Sequence, residues 1–288
     1  MPNHITTELI ASPEVIEGLT RCLTPEEIAE ERKEYEQRLE NVKKRGSNYI
    51  PPEPDPERRL VDFALVVPPP ANMEAGGCPG GADQNGLHAD GTVCWYNWNT
   101  NNWGTKWNGY DVSWEDREDG RTLLRFDTAW AHPEPVIHAL AAKFPNEILE
   151  VRYADEDLGS NCGTYKIRDK ECIDAFFPDG EEALELACDI KYGVPYEEKR
   201  REWDEDEAEW EFRHSVYDRF QEEAGLPERP DNLPYNESTD EERAVRAAEQ
   251  KKWHEAYQEV MKKGDAYIKS LEEAELQSAI DSILAAKQ

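Results

Sequence analysis

Apolar residues in the first fifty positions recur at helical spacing. Ile28, Tyr35, Leu39 and Val42 follow Thr24-Pro25-Glu26-Glu27, which has the form of a capping box with proline in the first turn. The pattern predicts a helix that closes at Gly46. Tyr49 to Pro56 has four prolines in its last six residues and reads as an extended linker. Leu60 to Val67 is then a short β-rich run, stopped by Pro68-Pro69-Pro70. A long loop with six glycines follows, from Ala71 to Gly91. Residues 93–103 read as a short helix and Tyr110 to Glu115 as a strand. Asp116 to Gly120 is a hairpin turn and Thr122 to Ala129 its partner strand. Pro133 to Phe144 forms a helix with Val136, Ile137, Leu140 and Phe144 on one face. Ile148 to Tyr153 and Gly163 to Ile167 are two further strands. The order β-α-β-β-α-β-β starts with a split βαβ arrangement. The expected fold class is therefore α+β, a ferredoxin-like antiparallel sheet with additional N- and C-terminal helices.

The remainder patterns as helix. Glu181 to Ile190 is a short one. From Tyr196 to Ala224 the aromatics Tyr196, Trp203, Trp210 and Tyr217 fall seven apart, a stripe expected to face a partner surface. Ser238-Thr239-Asp240-Glu241 starts another helix, expected to end at Gly264. Ile268, Leu271, Leu276, Ile280 and Leu284 mark a last one, and a short turn predicts that these two pair as a hairpin. Three regions result: an N-terminal helix and proline-rich linker over 1–59, the α+β domain over 60–175, and an acidic helical region over 176–288.

Composition changes this picture mainly through charge. The chain has 288 residues with 33 Lys and Arg against 63 Asp and Glu, a net charge of −30. The excess is spread over all three regions. Such a field repels nucleic acid and anionic membranes and attracts basic surfaces, so direct nucleic-acid binding and membrane binding are both disfavoured. With neither an 18-residue apolar run nor the start of a signal peptide, the chain is expected in the cytoplasm, with its six cysteines reduced.

Candidate chemistry is sparse. Cys78, His88 and Cys94 do not have a recognised zinc spacing, and no metal or cofactor is implied. Asp155-Glu156-Asp157 sits at a strand end, but neighbouring carboxylates are expected by chance in so acidic a chain. Gly76-Gly77-Cys78-Pro79-Gly80-Gly81 lacks the Lys and Ser/Thr of a P-loop. No catalytic residue is assigned. Six of nine tryptophans lie between positions 95 and 130; core packing is their first reading and a recognition surface the second. Glu202, Asp204, Glu205, Asp206, Glu207 and Glu209 crowd around Trp203 and Trp210, which makes this helix the candidate interaction surface.

The run Trp95-Tyr96-Asn97-Trp98, continuing to Asn102-Trp103-Gly104-Thr105-Lys106-Trp107-Asn108, resembles the signature of the YubB-type ferredoxin-like domain of phage and plasmid accessory proteins. Phe126-Asp127-Thr128-Ala129-Trp130-Ala131-His132-Pro133 and Tyr153-Ala154-Asp155-Glu156 resemble it in the same order, over residues 60–170. The resemblance implies the fold and an origin in a mobile element, and no activity. The leading expectation is a non-enzymatic protein that binds a host protein with a basic surface in the host cytoplasm. A nucleic-acid-binding partner would make it a DNA mimic with a counter-defence role. Two alternatives stand beside it. One is an assembly component that homo-oligomerises through its C-terminal helices. The other is an enzyme or small-ligand binder using the 71–91 loop.

Overall fold

The computed structural model describes residues 3–45, 49–73, 83, 86–231 and 239–287. The expected helix end at Gly46 and the glycines and Cys78 of 76–81 lie outside these residues. The chain divides into two compact units, residues 1–196 and 197–288.

The first unit is built on a six-stranded antiparallel sheet in the order β4-β5-β1-β6-β7-β8. Its strands are β1 (His4–Ala11), β4 (Tyr110–Asp116), β5 (Thr122–Ala129), β6 (Leu149–Asp155), β7 (Gly163–Arg168) and β8 (Glu171–Phe176). The four strands β4-β5-β1-β6 have the ferredoxin-like order, so the fold class stands. The first strand of that core is not Leu60–Val67, however. It is β1, which pairs with β5 through Ile5↔Thr128 and Leu9↔Leu124 and with β6 through Leu9↔Val151. The run at 60 contributes only β3 (Arg59–Val61), which pairs with β2 (Thr20–Cys22) in a two-stranded ribbon, followed by a 3-10 turn at Phe63–Leu65. The expected boundary at 59/60 thus falls inside this unit.

Alternation explains the layering, because successive side chains of a strand point to opposite faces. One face carries Leu9, Leu124, Phe126, Val151, Tyr165 and Ile167. It packs against Val15 and Ile16 of α1 (Pro13–Glu17), against Trp103 just after α3 (Trp95–Asn102), and against Val136, Ile137 and Leu140 of α4 (Glu134–Lys143). The other face carries Ala154, which packs with Ala183, Ala187 and Ile190 of α5 (Gly180–Tyr192). Glu8 lies on that face, buried between Arg125 (2.9 Å) and Arg152 (3.2 Å). Helix α2 (Pro25–Lys44) has the expected capping box: the Thr24 hydroxyl accepts from the Glu27 amide and the Glu27 carboxylate accepts from the Thr24 amide. A hydrogen bond from Arg21 is the main reason the Glu27 carboxyl sits at about 2, below its ordinary value.

The second unit comprises most of α6 (Tyr196–Glu223), with α7 (Asp240–Ser270) and α8 (Glu273–Lys287). Helix α7 does not end at Gly264. The ring of Tyr217 lies where a side chain would stand: a Cβ at 264 would meet it at 2.5 Å. Gly264 is therefore a packing position. Tyr217 crosses the helix there and donates its hydroxyl hydrogen to Asp265 (2.7 Å). Val216, Tyr217 and Ile268 form the centre of this unit, with Phe212, Phe220 and Tyr267 against them.

Candidate interaction surfaces

The tryptophan signature divides into an interior part and a surface part. Trp98 and Trp103 stack edge to face, and the Trp103 indole donates to the Val67 carbonyl (2.9 Å). Gly104 adopts φ +79° with Pro135 so close that a Cβ would meet its ring at 2.8 Å, so only glycine fits the turn. The buried Thr105 hydroxyl donates to the Ala129 carbonyl (2.8 Å), and the Asn99 amide donates to the Lys106 carbonyl (2.9 Å). These bonds fix the loop that follows α3.

That loop presents Lys106. Its ammonium lies 4.6 Å from the Trp107 ring, 4.8 Å from Trp130 and 6.0 Å from Tyr96. Such cation–π contacts contribute about 0.5–1 kcal/mol each at exposed sites. Trp130 is 43% exposed and its φ is +69°, a left-handed backbone that a bulky side chain rarely adopts. Its amide donates to the Asn3 carbonyl (2.9 Å), so the segment preceding β1 holds the strained residue in place. Trp95 packs edge to face on Tyr96, and Tyr96 on Trp130. Sequence reasoning counted these aromatics but did not group Tyr96 and Trp130 with Lys106. They lie 34 positions apart, and only the β5–α4 connection brings them together.

Behind this surface is a buried polar network. His132 accepts or donates at both ring nitrogens, to the Thr7 hydroxyl (2.9 Å) and the Tyr165 hydroxyl (2.7 Å), and it stacks on Tyr153. Burial pushes its pKa down to about 3 and pushes the Tyr165 hydroxyl up. The imidazole is therefore neutral at physiological pH, donating with one nitrogen and accepting with the other. Asp155 is likewise occupied, by the side-chain amides of Asn3 and Asn161 and the backbone amide of Asp157. Among the described residues no three His, Cys, Asp or Glu side chains are grouped to hold a metal ion. Cys94 is disulfide-bonded, while Cys22, Cys162, Cys172 and Cys188 are free. The expectation of six reduced thiols fails there. Among the described residues no helix is long and apolar enough to cross a membrane.

The second candidate surface is α6. At about 3.6 residues per turn, its carboxylates do not share one face. Glu202, Glu205, Asp206 and Glu209 fall on one side and Asp204, Glu207 and Glu211 on the other, with Trp203 and Trp210 on the ridge between them. Lys199 pairs with Glu202 (2.8 Å), Arg213 with Glu209 (2.6 Å), and Lys287 of α8 with both Glu207 (2.9 Å) and Glu211 (3.0 Å). Glu202, Asp204, Glu205, Asp206 and Glu207 are exposed. The aromatic stripe is not buried as a unit. A strict seven-residue spacing drifts about 20° per repeat around a straight helix. It carries Tyr217 into the packing seam and leaves Trp210 58% exposed, its ring tilted 33° against that of His214 with centroids 3.7 Å apart. The ammonium of Lys199 lies 5.6 Å from Trp203.

Residues 109–220 match a family model described as "Ferredoxin-like domain in Api92-like protein". The matched segment begins at β4 and ends within α6, so it leaves out the central strand β1. No curated protein matches the chain. Among solved structures, the crystal structure of a protein api92 from Yersinia pseudotuberculosis is similar at 9% identity, covering 62% of this chain and 99% of that chain with a TM-score of 0.37.

Proposed function

We propose that this is a non-enzymatic interaction protein of a phage or plasmid, akin to the YubB-type accessory proteins, acting in the host cytoplasm. It binds a basic host protein through the ridge of α6. One observation carries the reading: Trp210 stands exposed between two stripes of carboxylates, on a helix whose buried residues are Ala208, Val216 and Tyr217. Asp204, Glu205 and Asp206 stand exposed beside it. Interface hot spots are enriched in tryptophan, and surrounding charges set the choice of partner and the rate of encounter. A partner that itself binds nucleic acid would lose that ligand to the carboxylates, the basis of a counter-defence role.

The test is capture from host lysate at about 50 mM and about 500 mM salt, across which the screening length shortens more than twofold. The native protein is expected to retain a basic nucleic-acid-binding protein at low salt, to release it at high salt, and to compete with DNA for it. Trp210→Ser, and a variant with Glu202, Glu205 and Asp206 replaced by Gln, Gln and Asn, are expected to capture none of it while keeping native helical circular dichroism. Equal capture by these variants would refute the reading.

A further inference from the structure

The six-stranded sheet ends differently at its two edges. At one edge β4 lies beside β3. At the other, β8 pairs with β7 and with no further described strand, and all six of its residues are exposed. The core runs out one strand earlier. Tyr165 and Ile167 of β7 are buried, whereas Ala175 and Cys172, opposite them on the same face, are bare. Ile173, Phe176 and Phe177 put three exposed large apolar side chains within five residues. An open edge of this kind is a template for another strand.

Charge decides which strand it suits. From Lys166 to Phe177 the β7–β8 hairpin carries Lys166, Arg168 and Lys170 against Asp169, Glu171 and Asp174, and is neutral in a chain of net charge −30. Strand β4 has Asp111, Glu115 and Asp116 and no cation, so it repels a copy of itself. The β8 edge is where two copies meet with least repulsion.

We propose that β8 pairs antiparallel with β8 of a second copy about a two-fold axis, joining the two sheets. The bulge sets the register. Ile173 is the extra residue between Cys172, opposite Ile167, and Asp174, opposite Lys166. Cys172 and Ala175 therefore point to one face, and Glu171 and Phe176 to the other. A two-fold axis normal to the sheet keeps each face on its own side. Cys172 then lies opposite Ala175 of the second copy, and Glu171 opposite Phe176 of the second copy, with no like charges opposed. One strand from each copy makes a small interface, so dissociation is expected on the order of 10 µM. The surface belongs to the first unit and does not rest on the α6 reading.

Light scattering on the full chain, from about 1 to about 200 µM in about 300 mM NaCl to screen the net charge, is expected to show the mass rising to twice that of one chain. Ile173→Lys, at an exposed position, is expected to stay at the mass of one chain with unchanged circular dichroism, and Trp210→Ser to dimerise as the native protein does. Ala175→Cys tests the register. It puts a thiol opposite Cys172 of the second copy, at a Cα separation of about 4.5–5.5 Å that a disulfide spans. Within one chain the two positions are about 10 Å apart and cannot bond. Mild oxidation is expected to give a covalent dimer from Ala175→Cys and none from Ala175→Cys combined with Cys172→Ser. A native protein that keeps the mass of one chain throughout would overturn the proposal and leave the edge to a strand of another protein. So would a dimer that survives in Ile173→Lys, or one lost in Trp210→Ser. Should Ile173→Lys fail to fold, the native titration and the cross-link decide.

Discussion

His132 is surrounded by a hydroxyl at each ring nitrogen and an aromatic ring on its face, with no carboxylate among its hydrogen-bonding partners. In the unfolded chain it takes up a proton near pH 6.5, whereas burial delays this to about 3 in the folded protein. A folded pKa held below the unfolded value contributes stability that is complete above about 6.5 and is lost as pH falls toward 3. The slope in that window is about 1.4 kcal/mol per pH unit. Urea unfolding followed at pH 7.5 and pH 5.0 is expected to show a loss of about 2 kcal/mol, and His132→Gln to remove most of the difference. A flat profile in the native protein, or an undiminished slope in the variant, would contradict the assignment. The same residue shows why part of the core was illegible in the sequence. Thr7 is buried because His132 is there to bond it, and Glu8 because Arg125 and Arg152 are. Residues 4–11 therefore lack the apolar alternation that marks a strand.

Among the elements, those with local signals were readable. Helix α2 announced itself through Thr24 and Glu27, and the β4–β5 hairpin through Gly120 at φ +80°. Strand β8 was not readable, because all six of its residues are exposed at the sheet edge and no buried face imposed a period of two. The tryptophan run announced a domain, but its division into core and surface depends on Trp130, which the fold delivers from another element. Gly264 was misread because glycine at a helix end and glycine beneath a crossing aromatic look alike in one dimension. Gly264→Ala separates the two roles. Helix propensity alone would make alanine stabilising by about 0.8–1 kcal/mol. Forcing a Cβ against the Tyr217 ring costs about 1–3 kcal/mol. Thermal denaturation is expected to show a lower midpoint for Gly264→Ala and recovery when it is combined with Tyr217→Leu. A raised midpoint in the single variant would mean that the ring yields freely.

For the molecule as a whole, 63 acidic against 33 basic side chains make self-repulsion a general opponent of compactness. Raising NaCl from about 20 to about 300 mM screens charges beyond roughly 6 Å and is expected to raise the urea midpoint. A midpoint that fell over this range would show that local ion pairs such as Lys287 with Glu207 and Glu211 outweigh the net field. The position of β1 has a consequence in time. The strand at the centre of the sheet is made first, yet its partners are residues 122–129 and 149–155. At about 5–20 residues per second, the ribosome finishes β6 roughly 7–30 s after β1 has been synthesised. Until residues 122–129 have been made, Ile5 and Leu9 have neither neighbour to pair with. The sheet closes from the middle outwards and late, with the slow folding expected of contacts so distant in sequence. The nascent chain must keep its own keystone out of the reach of other strands until the hairpin and β6 arrive to enclose it.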